Sequence, residues 1–274
     1  MDDAVPERIY GVDFGDDFES GDSIWISEAT VDDDLRVLDC RSASEWFGIS
    51  DDRALVLGSL TSFLASIPDS SVAGLNFPFG LPDNLVPVDD WVTLLARFPD
   101  WFTSPEDLRR RCLMHAELVT GNRTSLLRET DEPLGALSPY DERLQDRTFY
   151  GIRDVLRPLV TTELVAVQPM MEPETARPSI IETYPAGTLE ELELHMATYK
   201  DDTERAERHR TENLDGLEAH GVTFPSEVRS RVLSDSGGNA LDSVVAAFAA
   251  YRNTVSGLQT SWVADREVEG HIYV

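Results

Sequence analysis

Residues 8–41, RIYGVDFGDDFESGDSIWISEATVDDDLRVLDCR, decide the fold. Arg8 to Asp13 reads as a short buried strand. Ser23 to Thr30 (SIWISEAT) alternates apolar and polar side chains, the period of a half-exposed strand. Leu35 to Arg41 reads as a third strand, separated from the second by the DDD turn at residues 32–34. Strands joined this tightly form an antiparallel meander. Beyond them, Leu55, Leu57, Leu60, Phe63, Leu64 and Ile67 recur at roughly helical spacing, and Pro68 ends the run. Ser71 to Asn76 (SVAGLN) is a fourth strand, closed by FPFGLP at 77–82. A meander, a helical crossover and another strand predict a mixed sheet with the fourth strand parallel to the first.

Residues 83–158 read as irregular helical segments with aromatic anchors at Trp91, Phe98, Trp101, Phe102, Tyr140 and Tyr150. They are predicted to form a mainly helical insertion over the sheet. Leu164–Gln168 and Ser179–Glu182 read as strands, followed by helices near 188–199, 202–221, 226–233 and 239–251. The expectation is one α/β domain over all 274 residues, long enough to bury a sizeable core. No internal repeat or low-complexity linker interrupts it.

Charge is the most unusual feature of the composition. Asp and Glu number 51 against 23 Lys and Arg, a formal net charge of −28. A single lysine, Lys200, stands among those basic residues. Self-repulsion of this size strains a compact state at low salt. At about 1 M salt the Debye length shrinks to roughly 3 Å and the repulsion is screened. Acidic pairs recur along the whole chain, whereas docking onto a basic partner would call for one block of charge. The composition therefore points to a salt-adapted, halophilic cell. The midpoint of thermal unfolding is expected to rise markedly between about 0.1 M and 2 M KCl. A flat or falling midpoint over that range would remove the halophile reading.

No apolar run approaches the roughly 18 residues that span a membrane. The opening MDDAVPERIY lacks the basic and apolar pattern of a signal peptide. Cys40 and Cys112 are isolated, which suits a reducing compartment. A cytoplasmic location follows as the expectation. The sequon Asn122-Arg-Thr is discounted on the same ground. The five histidines (His115, His195, His209, His220, His271) show no metal-ligand spacing along the chain. Nucleophile-elbow, phosphate-loop and dinucleotide motifs are absent. So is a basic patch, although counterion release adds little affinity at molar salt.

Acidic or amide residues sit at the ends of the predicted core elements. Asp13 closes the first strand in GVDFG, Asn76 the fourth in GLNFPFG, and Glu182 the late strand in IIETYPAG. Asp242 lies in the first turn of the last helix, in GGNALDSVVAAFAAY, with Asn239 three residues earlier on the same face. Ala246, Ala249 and Ala250 let that helix pack closely on a sheet. Asp13, Glu182 and Asp242 would then converge as oxygen ligands for magnesium or manganese. Each residue also has a plainer reading. Asp13 fits the start of a turn and Glu182 a solvated edge charge. Asn239 with Asp242 fits an N-cap and its acidic N3 partner, and FPFGLP fits a simple turn.

The blocks GVDFG, SGDSIWISEA, AGLNFPFGLP, SPYDERLQDRTFYGIRDVLRPLV, IIETYPAGTL and GGNALDSVVAAFAAYR, taken in order, resemble the domain of unknown function 429 family. That is a predicted ribonuclease H-like nuclease family. The resemblance implies a mixed sheet of five strands, the first three antiparallel, flanked by helices. It places Asp13, Glu182 and Asp242 on the family's acidic, metal-binding positions. It also shows two departures, because the family carries aspartate where Asn76 and Asn239 stand. The central block brings Arg128 and Arg143 forward as phosphate-holding residues, with salt bridging inside the insertion as the alternative. The function implied is a magnesium- or manganese-dependent nuclease or phosphodiesterase acting on nucleic acid. The two asparagines favour another reading, a catalytically decayed domain that serves as a binding or scaffold module.

Overall fold

The structure is a computed structural model describing residues 6–15, 21–121, 125–172, 176–258 and 268–274. The sequon at 122–124 lies outside the described residues. Among the described residues there are eight strands, β1 (Ile9–Phe14), β2 (Ile24–Val31), β3 (Leu35–Ser42), β4 (Val72–Asn76), β5 (Ala166–Gln168), β6 (Ser179–Thr183), β7 (Val222–Thr223) and β8 (Ile272–Tyr273). They form one sheet in the order β5-β6-β4-β1-β2-β3-β7, with β8 paired to β6. The meander β1-β2-β3 is antiparallel, and β4 runs parallel to β1 as its crossover helix predicts. The β4–β6, β5–β6, β3–β7 and β6–β8 pairs are parallel as well. This is an α/β mixed sheet with helices on both faces.

The helices are α1 (Ala43–Phe47), α2 (Arg53–Leu64), α3 (Trp91–Trp101), α4 (Pro105–Thr120), α5 (Gln145–Tyr150), α6 (Arg157–Thr161), α7 (Pro185–Glu191), α8 (Glu204–Ala219), α9 (Ser226–Ser234) and α10 (Asn239–Val255). A π-helical stretch, Gly151–Leu156, joins α5 to α6. Ser42, Asp52, Asp90, Ser104 and Thr203 start their helices by accepting from a backbone N–H in the first turn. Along β1 the side chains alternate between two cores. Tyr10, Val12 and Phe14 join α2 and the helices of segment 83–158, whereas Ile9 joins the core under α8–α10. Segment 83–158 is largely helical, as predicted, and Trp91, Leu94, Phe98, Leu108 and Phe149 place it in the same core as the sheet.

Helix α10 holds the second layer together, with every residue from Ala240 to Ala250 buried. The alanines are half of the reason it lies so close to the sheet. The other half is Gly11 on β1 and Gly74 on β4, where a Cβ would overlap the Ser243 and Ala246 carbonyls.

Two expectations change. The predicted helix at 188–199 is the shorter α7, started by Pro185 and over by Leu192. The chain then runs irregularly to Thr203, with Glu193 and Thr198 at positive φ (58° and 67°). Asn213 on α8 causes this: it exchanges two 2.9 Å hydrogen bonds with the His195 backbone, replacing the helical ladder. Strands β7 and β8, two residues each, are too short to show a period. Among the described residues no helix is long and apolar enough to cross a membrane.

Candidate functional site

The C-terminal ends of β4 and β6 and the start of α10 meet at a cavity of about 230 Å³, with the end of β1 behind Asn76. Asn76, Arg147, Glu182, Tyr199, Lys200 and Asp242 are among its lining residues. Register decides which of the sequence-predicted residues touch. Asp13 pairs with Asn76 across β1 and β4, so both side chains stand on the α10 face. Glu182 pairs instead with Leu75. That offset of one residue turns Glu182 to the opposite face, and its neighbours Ile181 and Ile180 lie in the α10 core and the other core respectively.

The structure therefore brings Asp13, Asn76 and Asp242 together. Asn76 Nδ2 donates to Asp13 Oδ1 at 2.6 Å. Tyr199 OH donates to Asp242 Oδ1 at 2.6 Å, and Lys200 Nζ lies 2.5 Å from Asp242 Oδ2. Asp13 is fully buried, and its Oδ2 accepts no hydrogen bond among the described residues. Burial, and then the neighbouring Asp242 carboxylate, push its carboxyl up to about 7, against the pull of Lys200, Arg147 and Asn76. Burial opposes the charge on Lys200, but Asp242 and Asp13 outweigh it and raise the ammonium to about 12. Two carboxylates thus share a buried site with one ammonium against them.

Glu182 sits at the same cavity in its own ion-pair network. Arg128 grips it bidentately, Nη2 to Oε1 at 2.6 Å and Nη1 to Oε2 at 2.9 Å. Arg128 Nη2 and Nε also reach Asp131, at 2.7 Å and 3.1 Å, and Nη1 donates to the Glu269 carbonyl at 3.0 Å. All five guanidinium N–H groups have partners by this count. The Phe79 amide donates to Glu182 Oε2 at 2.8 Å. Burial still holds the Glu182 carboxyl above its ordinary range in spite of Arg128.

The remaining predicted residues take plainer places. Asn239 does not cap α10. Gly238, in the left-handed conformation, is the cap residue, while Asp235 accepts from the Gly237 and Ala240 amides. The Asn239 side chain lies against Gly15, two residues past Asp13. Asp242 is taken up by Tyr199 and Lys200, so its carboxylate is more than a helix-start charge. Arg128 spends its donors inside the protein, the salt-bridging alternative. Arg143 is 70% exposed on Asp141, away from the cavity lining, and Arg147 takes the lining position four residues later.

Lys200, Tyr199 and Arg147 were the residues missed. Lys200 had a signal: in a chain that otherwise uses arginine for every basic position, it is the one lysine. Comparison with protein-family models, with curated proteins and with solved structures gave no match for this chain.

Proposed function

We propose that the chain is a metal-dependent phosphodiesterase whose site is built on Asp13 and Asp242. One observation carries this reading: a buried carboxylate pair, one oxygen of it unpartnered, stands beside a cavity lined by Lys200 and Arg147. The donor set fits magnesium or manganese, which take carboxylate and amide oxygens. Asp13 and Asp242 would hold the ion, with Asn76 beside them. When bound, it would polarise a phosphoryl oxygen and acidify a water.

The chain's own groups do the rest. Lys200 and the Arg147 guanidinium are placed to hold a phosphate, and Tyr199 fixes one Asp242 oxygen. Arg128 orders Glu182 and the turn at Phe79, forming the far wall. The cavity falls below the roughly 300–1,000 Å³ of pockets for drug-sized ligands, a size suited to one phosphate group. The β3-β2-β1-β4-β6 order supports a ribonuclease H-like reading, and with it a nucleic-acid substrate. A second reading, a decayed binding module, has its own support. Lys200 and Arg128 already neutralise Asp242 and Glu182.

Manganese titration at about 2 M KCl, where surface charge is screened, separates the two. The wild type is expected to bind manganese and hydrolyse an activated phosphodiester, and Asp242→Asn to lose both. Asn76→Asp, which adds a charge beside Asp13, is expected to tighten manganese binding about fivefold, a quarter of the roughly 4 kcal/mol of a unit pair at 4 Å. Absence of manganese binding in all three proteins would leave the binding-module reading.

A further inference from the structure

We propose that His195, His209 and Glu212 form a second site, for a transition-metal ion such as zinc, that fastens the 192–203 loop to α8. One ring nitrogen of each histidine and one Glu212 oxygen lie within 4.8 Å of one another. His195 Nε2 is 2.6 Å from Glu212 Oε2, and the two imidazoles stack at 3.9 Å with 8° between their planes. Chain spacing hides this set. His209 and Glu212 are three apart on one face of α8, but His195 comes from the loop before it.

The surroundings are those of a prepared metal site. His209 Nδ1 lies 2.8 Å from Thr198 Oγ1 and 3.2 Å from the Thr198 carbonyl. A proton given to that carbonyl from Nδ1 leaves the Nε2 lone pair for a metal, the usual outer contact of a metal-binding histidine. The loop is fixed on both sides of the cluster. Asn213 clamps the His195 backbone, and Arg210 Nη1 donates to the Tyr199 and Asp201 carbonyls at 2.7 and 2.9 Å. Ligand atoms around tetrahedral zinc, at bonds of roughly 2.0–2.2 Å, stand about 3.3–3.6 Å apart. Binding would open the 2.6 Å His195–Glu212 contact and swing the two rings out of their parallel stack, drawing the 4.8 Å spread in to that distance, and the half-exposed setting leaves a fourth position for water.

Two nitrogens and one carboxylate select against the hard cations of a salty solution. Potassium, sodium and magnesium prefer oxygen, whereas imidazole suits zinc, nickel and copper. Position gives the site a consequence. The same loop carries Tyr199 and Lys200 to Asp242. A metal on the outer side of the loop would hold those two residues in place.

The test is a titration of zinc chloride into the full chain at about 2 M KCl. The wild type is expected to bind zinc through this set and to melt higher when loaded. His209→Ala should weaken that binding by about 100-fold or more, beyond the 10–100-fold typical of outer-contact losses. Glu212→Gln, which keeps the shape of the side chain, should weaken it by at least about 10-fold. Asp13→Asn should leave it unchanged, separating this site from the carboxylate pair. Zinc should also slow amide exchange across residues 195–200. A wild type that does not bind zinc, or binding that survives both cluster variants, would overturn the proposal. So would binding lost in Asp13→Asn alone.

Discussion

Arg128→Met is expected to destabilise the fold by about 3–5 kcal/mol, the usual cost of removing one partner from a buried ion pair. Arg128 is 1% exposed, and its guanidinium neutralises Glu182 and Asp131, which are buried with it. Methionine fills most of the volume, so the loss isolates charge from packing. Two carboxylates would be left at the cavity wall without the cation that neutralises them, and the Phe79 turn would lose the ordered Glu182 that accepts its amide. Against a total stability of about 5–15 kcal/mol such a loss is large. Urea unfolding in high KCl measures it. The triple variant Arg128→Met/Asp131→Asn/Glu182→Gln, which removes the stranded charges, should recover much of the loss. Equal stability of Arg128→Met and wild type would mean that the network is solvated and that Glu182 is free to act as a metal ligand.

The parts of the fold that show a period were legible in the sequence, and those set by register or by a distant side chain were not. The β1–β3 meander and the crossover to β4 carry clear alternation and clear turns. Strand β6 does not. Ile180 and Ile181 are both buried, one on each face, so no alternation says which face Glu182 takes. One residue of register therefore separated the predicted triad into a pair and an outlier. The 188–199 stretch has helical spacing at Leu189 and Leu192, and Asn213 and Arg210, many residues later, override it. Nothing around Arg128 in SLLRETDE announces burial. Asp13 and Asp242 were legible because each stands at the end of an element whose packing face is unmistakable.

Asp13→Asn is expected to stabilise the metal-free protein at alkaline pH while abolishing manganese binding. The Asp13 carboxyl is raised from 3.8 to about 7 by burial and by Asp242. Because the folded value lies above the unfolded one, the native state keeps a proton that the unfolded chain sheds between pH 4 and 7. The contribution of this group to stability is therefore complete below about pH 4 and is lost as pH rises through about 7. A shift of about three units corresponds to roughly 4 kcal/mol between those limits. Asparagine keeps the oxygen that accepts from Asn76 Nδ2 and carries no charge at any pH. With a chelator present, the advantage of the variant over wild type should grow from near zero at about pH 4 to roughly 4 kcal/mol above pH 8. Manganese should then reverse the order, because it stabilises only the protein that binds it. Stability given up to hold two carboxylates together is what a functional site requires and a merely structural helix start does not. If Asp13→Asn is no more stable than wild type at alkaline pH, the pair is already neutralised by Lys200 and Arg147, and the case for a metal at this site fails.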